Sequence, residues 1–243
     1  MSKNDRLVDV SANISGMCLS ELMVSMAMGS VVLASVLSTM NVMQTYADRQ
    51  HRTVRHQQDL RLGLEVFEQE ARLAAADSIL SADSDEFQFY ANLNGQRTVT
   101  TGSLTSGQTM IPVQDGRGWG EGKTITVCGP QSCELHQLAR PGQRYQLTVS
   151  EPVAMSLPGG ASVEVRNKVM YYVKSDDQDM FKLMRMVDGG ANTLIGDLKE
   201  PRFSYWDESG RMTQQPSSVK RVVLEIESDT PLRTTRREVS LRS

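Results

Sequence analysis

The chain has 243 residues, and 26 Lys+Arg against 29 Asp+Glu give a formal charge of −3. That balance excludes a sequence-independent nucleic-acid binder, which needs a basic surplus to displace counterions from phosphates. A hydrophobic fraction of 39% and a mean hydropathy of −0.35 exclude a multi-span membrane protein, yet the chain is too apolar to be wholly disordered. The length suits one large domain or two small ones. Aromatic residues are only 5% of the chain, so the expected core rests on Leu, Val, Ile and Met.

The first element is an apolar run. Met17 to Met43 reads MCLSELMVSMAMGSVVLASVLSTMNVM, with Glu21 as its one charged residue. A helix of about 20 apolar residues crosses the hydrocarbon core of a bilayer. The run exceeds the apolar stretch of about 7–15 residues in a secretory signal, and Gly16 precedes it instead of a small-residue cleavage site following it. On hydropathy alone, an ordinary single-pass anchor with a linker helix fits equally well.

Helical character continues beyond the run. No proline occurs before Pro112, and Gln44 to Ala76 is rich in Gln, Arg, Glu, Leu and Ala, mostly good helix formers. Leu60, Leu64, Phe67, Ala71 and Ala74 recur at steps of four and three, which marks one apolar stripe. Tyr46 to Asp59 is polar nearly all round. These features predict one helix of about 55–60 residues, about 80–90 Å long at the standard rise. Residues 17–43 form its membrane part and 44–76 its amphipathic extension, whose last four turns cover a folded domain.

Glu21 needs a reason. A carboxylate at the centre of a span costs about 2.5–3.5 kcal/mol on insertion scales, and less near an end where it snorkels to the interface. Ser15-Gly16-Met17-Cys18-Leu19-Ser20-Glu21 resembles the processing site of type IV prepilins and of type II secretion pseudopilins. In that family a membrane peptidase cuts after the glycine and N-methylates the new first residue, and a glutamate stands fifth in the mature chain. The resemblance implies that residues 1–16 are the leader, that cleavage falls between Gly16 and Met17, that Met17 is methylated, and that Glu21 is the family's glutamate.

The chemistry of that arrangement is arguable in its own right. Cleavage places a positive amine at Met17, one helical turn from Glu21. In a filament core the glutamate of one subunit can pair with the amine of a neighbour. Stripping one partner from a buried pair costs about 3–5 kcal/mol, so the pair favours one axial register between subunits. Ser25 and Gly29 form one pair of small residues four apart, and Ser30, Ala34 and Ser38 a second row, which allow close helix approach or simply reflect membrane-helix composition. The six methionines from Met17 to Met43 read as adaptable packing residues. Two features depart from the family's pattern: Met17 stands where Phe is commoner, and the leader sets Lys3 and Arg6 against Asp5 and Asp9. Arg49, Arg52, Arg55 and Arg61 follow the span, against the positive-inside rule. The orientation expected here therefore comes from the resemblance and not from counting charges.

After Ala76 alternating segments separated by Gly, Pro, Asn, Asp and Ser indicate strands and turns. Expected strands are Glu86–Tyr90, Thr124–Cys128, Glu134–Leu138, Gln146–Val149, Val163–Val173, Met180–Met186, Arg202–Trp206, Val219–Glu227 and Arg237–Arg242. Turns are expected at 175–178, 207–210 and 228–231. One long helix followed by mostly antiparallel strands is an α+β plan, with residues 77–243 as a β-rich head domain. The head is similar to PilW-like minor pilins and, less closely, to J-type pseudopilins. The similarity lies in Val169-Met170-Tyr171-Tyr172-Val173, Phe203-Ser204-Tyr205-Trp206 and Val219-Lys220-Arg221-Val222-Val223-Leu224-Glu225-Ile226. Gly122 to Val127 and Cys133 to Leu138 resemble an inserted β segment of the PilW-like chains. A pilin-like fold is what this resemblance implies.

Three cysteines leave room for one bridge. Cys128 and Cys133 flank Gly-Pro-Gln-Ser in an expected hairpin, and in an oxidising compartment they bridge. The other readings are two free thiols, or a metal pair that lacks a second ligand pair at zinc spacing. Cys18 reads as a small residue within the span. Gly116, Gly118, Gly120 and Gly122 around Trp119 neither follow a strand nor open a helix, so a flexible turn is expected, not a phosphate loop. Asp176, Asp177 and Asp179 lack EF-hand spacing and read as a solvated turn. His51 and His56 are five apart and do not share a helix face.

The expected protein is a non-catalytic minor pilin, with no catalytic residues, metal or cofactor. The resemblance implies single-pass residence in the inner membrane with a periplasmic head, then incorporation into a filament. Its implied partners are the prepilin peptidase, other minor and major pilins and the inner-membrane assembly platform, and no nucleic acid. The alternatives are a J-type pseudopilin of type II secretion and, from other classes, an anchored periplasmic enzyme or an adhesin-like binding module.

Overall fold

The computed structural model describes residues 19–175, 180–227 and 234–242. The leader, Met17, Cys18, the three aspartates at 176–179 and the expected turn at 228–231 lie outside the described residues. The chain divides into two units, one up to Arg55 and the other from His56 onward. Helix α1, Leu19–Ala71, is 53 residues long and contributes to both.

In the first unit every described residue from Leu19 to Arg55 is exposed. The helix there is long and apolar enough to cross a membrane. With apolar side chains all round, such a helix has no preferred face for a core and needs an apolar surrounding on every side.

The second unit is α+β. Its strands, in chain order, are β1 Ile79–Ala82, β2 Glu86–Ala91, β3 Arg97–Val99, β4 Met110–Pro112, β5 Thr124–Cys128, β6 Cys133–Gln137 and β7 Gln146–Thr148. They continue with β8 Ser162–Val165, β9 Asn167–Ser175, β10 Phe181–Val187, β11 Gly190–Trp206, β12 Arg221–Glu227 and β13 Thr234–Ser240. Seven of them form an antiparallel sheet in the order β1-β2-β9-β10-β11-β12-β13. Alternation sets the faces: in β2, Phe87, Phe89 and Ala91 point inward, while Glu86, Gln88 and Tyr90 are half exposed.

Leu64, Phe67 and Ala71 lay the apolar stripe of α1 on that inner face. Around Phe67 gather Phe87, Tyr171 and Phe203, with Phe67 edge-on to Tyr171 at 5.1 Å between ring centres. Such edge-on pairs add about 0.5–1.5 kcal/mol beyond their buried area. The expectation of a core resting partly on Met is overturned: no methionine is among the buried core residues described, and the centre of the core is aromatic. The few aromatics are concentrated where helix meets sheet, while methionines such as Met23, Met26, Met28, Met40 and Met43 lie exposed on α1.

At Gly63 α1 lies close against the sheet. A β-carbon there would sit 2.3 Å from Cγ1 of Ile195 on β11, so no larger residue fits without displacement. The helix ends at Ala71, five residues short of the expected Ala76. Ala75 pairs with Arg242 in a parallel bridge, and the Arg242 amide donates to the Ala74 carbonyl at 3.1 Å, so tertiary pairing outweighs the helix propensity of three alanines.

A second lobe is inserted between β2 and β9. It comprises a four-stranded sheet, order β3-β8-β5-β6, and the pair β4-β7. Its own core includes Leu104, Ile111, Trp119, Val127, Leu147 and Val163. The expected strand Val163–Val173 is therefore two strands: the chain leaves the lobe in β8 and enters the main sheet in β9, with Arg166 between them. The glycine-rich stretch turns as expected, with Gly118, Gly120 and Gly122 exposed, but Gly116 and Trp119 are buried. A β-carbon on Gly116 would lie 2.7 Å from the Gln143 carbonyl oxygen, and Gly142 donates to the Trp119 carbonyl at 2.8 Å. Strands β1, β3 and β4 were not expected, being only three or four residues long.

Overpacking of a tight contact costs about 1–3 kcal/mol. Gly63→Leu is expected to lower the thermal midpoint of the head by about 2–12 °C, since about 1 kcal/mol shifts a domain of this size by about 2–4 °C. A thermal melt of the detergent-solubilised chain reads this directly.

Candidate functional site

Glu21 lies in the first turn of α1 and is the one charged residue between Leu19 and Ala47. Gly16 and Met17, the expected cleavage and methylation positions, lie outside the described residues. Four hydroxyls that follow Glu21 turn inward on their own helix. Ser25 Oγ donates to the Leu22 carbonyl at 3.0 Å and Ser30 Oγ to that of Ala27 at 2.7 Å. Ser35 and Thr39 donate at 2.9 Å to the carbonyls of Val31 and Ser35. Each hydroxyl is thus satisfied without water, the condition a polar group must meet in hydrocarbon. A β-carbon on Gly29 would meet nothing within 4 Å, so the helix carries an open notch there. Small residues at this point let a second helix approach closely.

At the other end of α1 a buried charged cluster ties helix to sheet. The Glu70 carboxylate accepts from Arg185 Nε at 2.8 Å and from Arg185 Nη2, and from the Tyr171 hydroxyl. Side-chain exposure is 22% for Arg185 and 14% for Glu70, so the pair is largely withdrawn from water. The hydrogen bond to Glu70 raises Arg185 above its ordinary pKa. Burial, followed by the charge of Glu70, pushes the Tyr171 hydroxyl far up, so Tyr171 remains a donor at any physiological pH. Two residues earlier, Glu68 pairs with Arg72 just past the helix end and, at 3.2 Å, with Arg237 on β13.

The inserted lobe is held by two further polar groups. Asp188, in the turn between β10 and β11, accepts from Lys123 Nζ at 2.6 Å, Asn167 Nδ2 at 2.8 Å and the Lys168 amide at 2.9 Å. Burial alone would raise its carboxyl, but these donors outweigh it and hold the group below the usual range. Asn167 is buried and its Oδ1 accepts from the Leu93 amide, so the two chain segments that join the lobe to the main sheet, after β2 and at the start of β9, meet here and form its neck. At the far end of the lobe Glu134 accepts from the amides of Ala154 and Met155 and lies 2.9 Å from His136 Nε2. These partners lower the Glu134 carboxyl despite burial. Cys128 and Cys133 face each other across β5 and β6 and are joined by a disulfide.

Glu21 belongs to the first unit and the two cysteines to the second. His51 and His56 lie on the polar stretch of α1, and His56 alone of the two is partly buried. Sequence reasoning did not find Glu70, Arg185, Glu134 or Asp188. For Asp188 a signal existed: Asp188-Gly189 between Val187 and Gly190 is the composition of a two-residue hairpin turn, and both residues have positive φ, 50° and 92°. For Glu70 and Arg185 no local signal exists, because they are 115 residues apart.

No protein-family model matches the chain, and no curated protein or solved structure matches it.

Removing one partner from the helix clamp leaves a charge largely buried and unpaired. Glu70→Ala is expected to destabilise the head by about 2–4 kcal/mol and Tyr171→Phe by about 1 kcal/mol, measured by denaturant unfolding. Acid acts on the lobe with a definite sign. Asp188 and Glu134 are depressed in the folded state from 3.8 and 4.5. Their contribution is complete above those values and is lost as pH falls through the lower folded ones. Hydrogen exchange is expected to rise first at the neck and at residues 150–157 over that acid range, while the aromatic core of the main sheet stays protected.

Proposed function

We propose that this chain is a PilW-like minor pilin: a non-catalytic structural subunit that helps start assembly of a type IV pilus-like filament. The observation that carries the reading is Glu21, the one charge in the exposed apolar stretch of a helix whose other end is docked in the head. An acid is costly in hydrocarbon and is retained there where a partner awaits it.

The work is done by few groups. Cleavage between Gly16 and Met17 frees an amine, and the peptidase then methylates it. Glu21 pairs with that amine on a neighbouring subunit, and the pairing sets the axial register of the bundle. The notch at Gly29 and the row of small residues from Ser30 to Ser38 let the helices approach. Before assembly the subunit waits as a single-pass protein of the inner membrane with its head in the periplasm, a compartment in which the Cys128–Cys133 disulfide persists. Its partners are the peptidase, other minor and major pilins and the assembly platform.

Mass spectrometry of the native N-terminus is the primary test. A mature chain beginning at methylated Met17 is expected, and an intact Met1 would overturn the reading. Gly16→Leu is expected to block processing. Glu21→Ala is expected to leave insertion and processing intact while reducing recovery of the subunit in sheared filaments by tenfold or more, since about 3 kcal/mol exceeds two decades.

A further inference from the structure

The arginines of the head characteristically end on carboxylates: Arg97 on Glu164, Arg117 on Asp115, Arg185 on Glu70 and Arg221 on Glu238. Arg49, Arg52 and Arg55, like Arg144, Arg166 and Arg242 of the head, do not. The first three are exposed, and none makes an ion pair or side-chain hydrogen bond among the described residues. Suitable acids are close in sequence: Asp48 lies four residues before Arg52, and Asp59 four after Arg55, the spacing at which helical ion pairs form. The pairs are nevertheless not made, and the guanidinium groups are left facing outward.

Their place along α1 says what they face. Arg49, Arg52 and Arg55 follow the last apolar residue, Met43, by six, nine and twelve positions. On a helix these are about 9, 14 and 18 Å along the axis. The headgroup layer is about 5–8 Å thick on each side, and electrostatic attraction extends about a further 8–10 Å at physiological salt. Long arginine side chains lean toward the interface and shorten the gap. Tyr46, 62% exposed, stands between the apolar run and the first arginine, at the depth where amphipathic rings settle among headgroups. Arg61 is about 27 Å beyond Met43 and borders a groove with Glu65 and Glu68, so it does not belong to the set.

We propose that Arg49, Arg52 and Arg55 bind anionic phospholipid headgroups in the leaflet on the head's side of the membrane, holding the subunit at a fixed depth until it joins a filament. This rests on the membrane reading of α1 given above. It also gives a use to cations that stand on the side of the span where topology disfavours them. Phosphate diesters supply the negative charge that the neighbouring aspartates do not, and guanidinium groups meet phosphate oxygens through paired hydrogen bonds. Withdrawal of the helix into a filament breaks these contacts, so lipid charge sets how firmly the waiting subunit is held.

The test uses the full chain in nanodiscs of phosphatidylcholine mixed with phosphatidylglycerol, with retained lipid identified by native mass spectrometry. The wild type is expected to retain phosphatidylglycerol over phosphatidylcholine. Each of Arg49→Gln, Arg52→Gln and Arg55→Gln is expected to lower that preference about threefold to fivefold, and the triple variant to abolish it. Glutamine is nearly as good a helix former as arginine, so α1 is preserved. Arg140→Gln in the head serves as a control and is expected to change nothing. Entry into the discs with no headgroup preference, or a preference unchanged in the triple variant, overturns the inference alone. Absence of preference together with loss of association between copies in the triple variant assigns the arginines to an acidic protein partner and also overturns it. Failure to enter discs of either lipid overturns the membrane reading as well.

Discussion

The second unit depends on one carboxylate. Glu70 sits where the last turns of α1 cross the middle of the seven-stranded sheet, and it is gripped by Arg185 of β10 and Tyr171 of β9. Apolar packing alone would hold the helix against the sheet but would let it slide, because hydrophobic contact has little directional preference. A charged fork with two defined contacts does not slide. Gly63 limits the approach on one side of Phe67 and Glu70 fixes position on the other, so the aromatic cluster between them has one arrangement.

The inserted lobe follows a different logic. It has its own core and reaches the main sheet through two adjacent strands, and the Asp188 hub closes the junction. The same residue shapes the turn between β10 and β11 and binds Lys123 from the lobe, so a hairpin turn doubles as a fastening. At the other end Glu134 and the disulfide fix two loops that would otherwise be free to move. Polar groups thus act at the two ends of the lobe, and apolar residues fill the middle.

Much of this architecture was legible in the chain. The run from Met17 to Met43 and the stripe of Leu64, Phe67 and Ala71 are strong periodic signals, and so α1 was predicted to within a few residues. Strands with clear alternation or turn-bounded apolar runs, such as Glu86–Tyr90 and Thr124–Cys128, were equally visible. What was not visible depends on distant residues. Near Val163 only the polar run Arg166-Asn167-Lys168 hints that the chain changes sheets at Arg166, and a polar run does not say which sheet each half joins. Composition also misled, because a low aromatic fraction says how many rings exist and not that they gather at one place. Of the expected positions near the start of the helix only Glu21 lies among the described residues, in the first turn of α1; the Glu70–Arg185 clamp was illegible because its partners are more than a hundred residues apart.

The serines and threonine of the apolar stretch have a further consequence. Their hydroxyls spend their hydrogen bonds on carbonyls of the preceding turn, so each travels with its helix already quenched. Such hydroxyls sit in an apolar surrounding without stranding a donor or stripping a hydration shell. For Ser25, Ser30, Ser35 and Thr39 an oily surrounding is therefore nearly free of penalty, and the carboxyl of Glu21 stays the one charged side chain in the stretch.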